Sequence, residues 1–361
     1  MVRLGAMGDI LHALPAVTAL RRAHPEWVID WVVEPRWRAL LVADGSLGFR
    51  TASTCEPGCE PGCEPGCNPA RPVVDGIHLA ATREWRKNAL DLRTLREIRG
   101  LRYALANGKY DVVLDLQGAI RSGVIGRMAG CRRVIGEANP RERAARWLYT
   151  ERVETAAAHV IQQRLELAAA VAGDDLKPIL PQLPVDGAAE DWVELLLPLR
   201  DSQRAVLMNP GAGWGAKRWP VERYAVVAKG LIDRGLRVFV NTGPGEECLA
   251  ESMVRSVAAV NLLNCSLEQL IAVTRRVSLA IAGDTGPLHL ACALGRPVVG
   301  IYGPTDPSRN GPFGTPFRVL RSPESRRDHS RHEAPEAGLL TIFPEQVLQA
   351  ADDLLAEESP R

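Results

Sequence analysis

At 361 residues, 46% apolar and 24% charged, the chain is long enough for two ordinary domains with separate cores. Its formal net charge of +1 gives no global pull toward nucleic acid. No apolar run reaches the roughly 18–20 residues that cross a membrane, and the N-terminal stretch lacks the sections of a secretion signal, which points to the cytoplasm.

In chain order, residues 1–4 read as the end of a strand. A glycine-rich turn follows, Gly5-Ala6-Met7-Gly8-Asp9, and then a helix over 10–23. That strand is short beside the five or six residues usual for a central strand, so either the domain tolerates a stub or the chain starts upstream of Met1. A strand over 27–33 ends at Glu34-Pro35, and a short helix covers 36–42. Cys55, Cys59, Cys63 and Cys67 then head a tandem repeat, CEPG-CEPG-CEPG-CNPA. Zinc sites pair short spacings across a longer loop, whereas this period of four is uniform and rich in Pro and Gly. It reads as a low-complexity surface insertion over 55–70. Beyond it come a strand at 73–79, a long helix at 90–106, and a buried strand at 112–115 running into Leu116-Gln117-Gly118. A helix at 122–128, a short strand at 133–136 and a helix at 157–172 complete the first half. Alternation of this kind makes a parallel sheet covered on both faces.

Residues 173–187 hold Pro178, Pro181 and Pro184 and make the best joint, which gives domains at 1–183 and 184–361. The pattern restarts with a strand at 205–209, the turn Pro210-Gly211-Ala212-Gly213, a helix at 221–234 and a strand at 237–240. Helices follow at 246–257 and 267–275. An apolar run, 277–282, enters Gly283-Asp284-Thr285-Gly286-Pro287 and a helix of small residues, 288–294. Another strand, 297–302, ends in Gly303-Pro304-Thr305-Asp306. After Arg318 the text turns polar and irregular until a last helix at 344–356. Two polar turns at the carboxyl ends of neighbouring parallel strands are where open α/β sheets take ligands. The unpaired N–H groups of a helix start suit an anion there. An ordinary strand-to-helix turn capped by Asp284 or Thr285 would look the same from these residues alone.

Several segments, and their spacing, resemble the bacterial heptosyltransferases of glycosyltransferase family 9. They are GAMGDILHALPAVTALRRAHP, WVVEPRW, DLQGAIRSG, NPGAGWGAKRWP and GDTGPLHLACALGRPVVGIYGPTDP. The WVVE, WRK and DLQG segments look more like heptosyltransferase I than heptosyltransferase II. The resemblance implies a GT-B fold, α/β, with two Rossmann-like doubly wound domains facing a central cleft: an acceptor domain first, a nucleotide-sugar domain second. It also implies inverting transfer of L-glycero-D-manno-heptose from ADP-heptose to the Kdo region of lipopolysaccharide. Other readings are a family 9 transferase with a different acceptor (heptosyltransferase II-like) or a non-catalytic nucleotide-sugar binder.

By the same resemblance Asp9 matches the family's base. The bland alternative is an N-cap for the helix from Ile10 onward. Lys217 matches the phosphate-binding lysine, and Thr285 and Gly286 add donors for the diphosphate. Asp284 matches the acid near the sugar, His289 the histidine behind the phosphates, and Glu247 the carboxylate on the ribose, with Glu246 one position away. Some relatives carry two hydroxyl residues five and four positions before the lysine. Here Ala212 and Gly213 stand there, so backbone N–H groups would have to serve. No Asp-x-Asp pair of the metal-dependent kind occurs, so neither metal nor cofactor is expected. Within 328–333 the histidines of DHSRHE are three apart, a weak signal for a metal.

On the acceptor side, residues 121–152 carry eight arginines against three glutamates. The planar fork of arginine suits phosphate and carboxylate, although a solvated helical face reads the same way. Trp85, Arg86 and Lys87, with Gln117 and Arg121, are the candidate acceptor residues. The expected partners are an ADP-heptose donor and a Kdo–lipid A acceptor, with no nucleic acid. Contact with the inner face of the inner membrane would be peripheral and electrostatic.

Overall fold

The computed structural model describes residues 1–43, 73–198, 203–327 and 333–357. The CEPG repeat and residues 328–332 of the histidine stretch lie outside the described residues. The chain divides into two compact units. The first holds Met1–Ala157 and Ile161–Pro184, the second Ala158–Val160 and Val185–Arg361.

Unit 1 contains α1 (Met7–Ala23), β1 (Asp30–Val33), a 3-10 helix (Pro35–Leu40), β2 (Gly76–Leu79), α2 (Thr82–Lys87), α3 (Leu92–Asn107) and β3 (Val112–Asp115). It continues with α4 (Ile120–Met128), β4 (Arg133–Glu137), a second 3-10 helix (Arg143–Leu148), β5 (Glu151–Val153) and α5 (Val160–Ala172). β2 pairs with β1, and β3 with β4 and β5, all parallel. Val2 bridges the two groups, lying parallel to Val32 on one side and Asp115 on the other. The Val2 N–H donates to the Leu114 carbonyl at 2.9 Å, and the Leu116 N–H donates to the Val2 carbonyl at 3.1 Å. The short first segment is therefore the centre of the sheet. Counting it as the first strand, the spatial order is 3-2-1-4-5-6, the doubly wound Rossmann order.

Unit 2 repeats that order. It contains α6 (Gly187–Leu196), β6 (Ala205–Asn209), a 3-10 turn (Gly215–Lys217), α7 (Val221–Asp233), β7 (Arg237–Asn241), α8 (Glu247–Ser256), β8 (Asn261–Leu263) and α9 (Leu267–Arg276). Then come β9 (Leu279–Gly283), α10 (Gly286–Ala293), β10 (Val298–Tyr302), α11 (Pro307–Asn310), β11 (Phe317–Arg321), a 3-10 helix (Ala337–Thr341) and α12 (Pro344–Glu357). The six strands run β8-β7-β6-β9-β10-β11, all parallel. Every residue of β6, β9 and β10 is buried, which is why these strands read as unbroken apolar runs rather than alternating ones. Trp219 and Tyr224 anchor the core edge to face, with ring centroids 4.9 Å apart. The Trp219 indole N–H donates to the Ile342 carbonyl at 3.0 Å and ties the last helical segment to the sheet.

Several elements depart from the sequence reading. The helix expected over 90–106 begins at Leu92, because the Asp91 carboxylate accepts the Arg93 N–H and caps it. Trp85, Arg86 and Lys87 form the separate helix α2. α6 follows directly on the Pro-rich joint, where no helix was expected: Asp186 accepts from the Ala189 N–H, and Ala189 and Val193 face inward. β5, β8 and β11 were not expected. The first two have only three residues each, and β11 is a half-buried edge strand in text that otherwise reads as polar.

Candidate active site

In doubly wound sheets the crevice that binds ligands opens where the strand order reverses. In unit 2 that point lies between β6 and β9, and the turns after those strands carry Lys217 and Asp284. The Lys217 ammonium donates to Asp284 Oδ2 at 2.5 Å and to the Asp284 carbonyl at 3.3 Å. The same ammonium sits 4.5 Å from the centre of the Trp214 ring, a cation–π contact. His289, one turn into α10, places Nε2 3.1 Å from Asp284 Oδ1. All three side chains are nearly buried. Burial by itself would push the Asp284 carboxyl up. The hydrogen bond to His289 and the charge of Lys217 outweigh it and hold the carboxyl well below the usual carboxylate range. Lys217, Asp284 and His289 thus form one hydrogen-bonded cluster around the Asp284 carboxylate. The lysine has three N–H donors and fixes its head group against Asp284.

The turns around this cluster are built for close approach. At Gly211 a Cβ would lie 1.8 Å from Glu246 Oε2, so only glycine lets that carboxylate fold over the turn. Glu246 accepts the Gly243 N–H at 2.9 Å and lies 3.8 Å from the Arg218 guanidinium. Arg218 also donates to the Ala212 carbonyl, so it braces the turn in which Ala212 and Gly213 stand. Glu247 is exposed at the start of α8, with Oε1 accepting the Gly245 N–H at 3.0 Å. Backbone N–H groups hold its carboxyl below the usual range. Thr285 precedes α10, its hydroxyl donating to the Gly283 carbonyl at 3.2 Å, and Gly286 opens the helix with Pro287 in its first turn. Two buried groups nearby have no partner among the described residues, the Thr305 hydroxyl after β10 and the Asn209 amide nitrogen at the end of β6. No motif argument singles out these two.

In unit 1 the order reverses between the Val2 segment and β3. Asp9 is the third residue of α1, and its Oδ2 accepts the Ala6 N–H at 3.0 Å. Asp9 is thus not the N-cap of a helix from Ile10: the helix starts at Met7, Ala6 is the N-cap, and one Asp9 oxygen reaches back to it while the other does something else. Arg3, 5% exposed, approaches Asp9 Oδ1 at 2.8 Å while a second guanidinium nitrogen donates to the Leu116 carbonyl. Behind Arg3 lies Arg164, whose guanidinium is lowered to about 10 by burial and by the charge of Arg3. Glu137 faces it at 3.4 Å. Asp115 is buried and accepts four hydrogen bonds, from the Gln117 and Gly118 N–H groups and the Ser122 and Tyr149 hydroxyls. Burial still pushes its carboxyl up. Sequence reading overlooked Arg3, Arg164 and this network, because no local pattern links Arg3 to Leu116 across 113 residues, Arg164 to Glu137 across 27 or Tyr149 to Asp115 across 34.

The acceptor candidates separate. Gln117 is buried, and its amide oxygen accepts the Leu4 N–H at 2.8 Å, which pins the central strand to the β3 turn. Arg121 is exposed in the first turn of α4. The Trp85 indole donates to Glu97 at 2.8 Å, and Arg86 and Lys87 are exposed at the end of α2. α2 follows β2, three strand positions from β3, or about 14 Å at the usual strand spacing. Among the described residues no group of His, Cys, Asp and Glu is arranged to hold a metal.

Two doubly wound units of identical strand order, each with charged turns at its reversal point, fit the GT-B fold of nucleotide-sugar enzymes. The model of glycosyltransferase family 9 (heptosyltransferase) matches residues 98–339, and the chain belongs to that family. It is 29% identical to lipopolysaccharide heptosyltransferase 1 of Escherichia coli K12 over 334 residues, 90% of this chain and 93% of that one. Lipopolysaccharide heptosyltransferase 2 of the same organism is 31% identical, over 50% of this chain and 56% of its own length. Among solved structures, E. coli heptosyltransferase WaaC with ADP superposes with a TM-score of 0.74 at 27% identity, covering 98% of both chains.

Proposed function

We propose that this enzyme moves a heptosyl group, with inversion, from ADP-heptose to the Kdo region of the lipopolysaccharide inner core. The observation that carries the reading is the Lys217–Asp284–His289 cluster at the reversal point of unit 2. In the proposed reaction an acceptor hydroxyl forms a bond to the anomeric carbon as the bond from that carbon to the ADP oxygen breaks. The hydroxyl proton passes to Asp9. Negative charge grows on the departing diphosphate, where Lys217 and the amides of Thr285 and Gly286 stabilise it as fixed donors. Asp284 orients the lysine and, with His289, faces the sugar–phosphate linkage, while Glu247 bonds the ribose. Arg86, Lys87 and Arg121 meet the anionic acceptor, and Trp85 supports them.

Similarity to type 1 heptosyltransferases along nine-tenths of the chain, against half for type 2, supports the first-heptose acceptor. No helix among the described residues is long and apolar enough to cross a membrane. Together with a lipid-borne acceptor this supports a cytoplasmic enzyme held peripherally at the inner membrane. The direct test is incubation with ADP-heptose and Kdo2-lipid A. ADP release and a mass gain of one heptose on the acceptor are expected. ADP release only with an already heptosylated core acceptor would transfer the assignment to the second-heptose reaction, and release with neither acceptor would leave a nucleotide-sugar binder.

A further inference from the structure

α3 has two stripes of the same spacing. Thr94, Ile98, Leu101 and Leu105 point into unit 1 and are buried or half-buried. Leu92, Arg96, Arg99 and Tyr103 repeat the intervals of four, three and four residues on the opposite side of the helix, and all four are exposed. Leu92 is 68% and Tyr103 71% exposed, and Leu90, in the turn before the helix, is 95% exposed. Single exposed apolar residues are ordinary on a protein surface. Here two largely exposed apolar residues share one line of the helix with two exposed arginines, so apolar surface and positive charge lie together on one side. Residues 83–103 carry seven cations against three acids. Two of those acids are engaged locally: Asp91 caps α3, and Glu97 accepts from Trp85 and pairs with Arg93. Among the described residues no carboxylate pairs with Arg96, Arg99 or Arg102.

We propose that this outward stripe of α3, with Leu90 in the turn that leads into the helix, is the surface by which unit 1 docks on the anionic phospholipid headgroups of a bilayer. The assignment deepens, and rests on, the peripheral membrane contact proposed above. Arginines meet the phosphates, Leu90 and Leu92 enter the acyl boundary, and Tyr103 sits with its ring below and its hydroxyl at headgroup level. A second copy of the chain fits the stripe less well, since a two-fold contact would set Arg96 and Arg99 against themselves.

The test is cosedimentation of the full chain with phosphatidylcholine vesicles, with and without phosphatidylglycerol, together with heptose transfer to a lipid-free Kdo acceptor. Wild type should bind only the anionic vesicles. R96A/R99A should bind about 25-fold more weakly, roughly fivefold per cation. L92S/Y103S should bind more weakly at every salt concentration. Both variants should keep wild-type transfer to the lipid-free acceptor. If wild type binds and both variants bind equally well, the surface is wrong while membrane contact survives. If wild type does not bind, both fall. A concentration-dependent dimer that disappears in L92S/Y103S would assign the stripe to a second copy and overturn the proposal. Loss of wild-type transfer to the soluble acceptor with intact vesicle binding would count against the reaction, not the surface.

Discussion

Asp9 is held by two partners of different kinds, a backbone N–H and the guanidinium of Arg3. General base catalysis is typically worth about 10²–10⁴ in rate, so Asp9→Ala should lower kcat at least about 10²-fold while ADP affinity is unchanged. Near-normal turnover by that variant would reduce Asp9 to a helix-capping residue. Arg3 ties the same carboxylate to the β3 turn through Leu116, which makes it a positioning residue. Arg3→Met should cost kcat about 10²-fold with little change in donor KM, since small misplacements of a reacting group are that expensive. Arg3→Lys should recover part of the loss, because an ammonium still reaches Asp9; equal loss in both variants would point to misfolding instead. Asp284 gives a pH signature. Its folded carboxyl lies below the ordinary value of about 4, so its contribution to stability is present above that pH and disappears as pH falls through the folded value. Asp284→Asn should be less stable at neutral pH, by about 3–5 kcal/mol if the buried ammonium is left uncompensated. Its melting temperature should fall less steeply than that of wild type on acidification. Parallel acid limbs would show that the cluster contributes little.

At the scale of elements, what could be read locally depended on burial. β6, β9 and β10 are buried on both faces, and their runs of Val, Ile, Leu and Ala announced them. β5, β8 and β11 are short or at the sheet edge, where one face meets solvent and the apolar signal thins out. α6, just after the Pro-rich joint, is marked only by its cap, Asp186, and two inward residues. Packing between elements is the part no local pattern reports. Gly136 in β4 is paired with Asp115 in β3, and a Cβ there would sit 2.4 Å from the Tyr149 ring. The glycine makes room for Tyr149 to cross the strand and donate to Asp115 at 2.8 Å. Gly136→Val should therefore cost about 1–3 kcal/mol by overpacking and should release the Tyr149 bond. The urea midpoint should fall with an unchanged m-value; no change in the midpoint would mean that Tyr149 has another place to go.

For the whole molecule, two units with separate cores predict how a ligand will be felt. With ADP at about 100 times its Kd, a state that binds it gains about 2.7 kcal/mol. That gain should move the calorimetric transition that unfolds unit 2 and leave the other in place. A shift confined to unit 1 would contradict the assignment of the donor to the second unit. Taken alone, the sequence determined the α/β class, the duplication of the pattern, the family and the turns that carry Asp9, Lys217 and Asp284. Those follow from hydrophobic period, glycine placement and short motifs, all of which are local along the chain. Tertiary structure alone decided that residues 1–4 are the central strand, that Lys217, Asp284 and His289 share one hydrogen-bonded cluster, and that Arg3 grips Asp9. It also decided which side of α3 is left to solvent. Each of these depends on groups brought together by strand order and burial, and Lys217 and Asp284 are 67 residues apart in the chain. Spacing along the chain carries no record of such encounters.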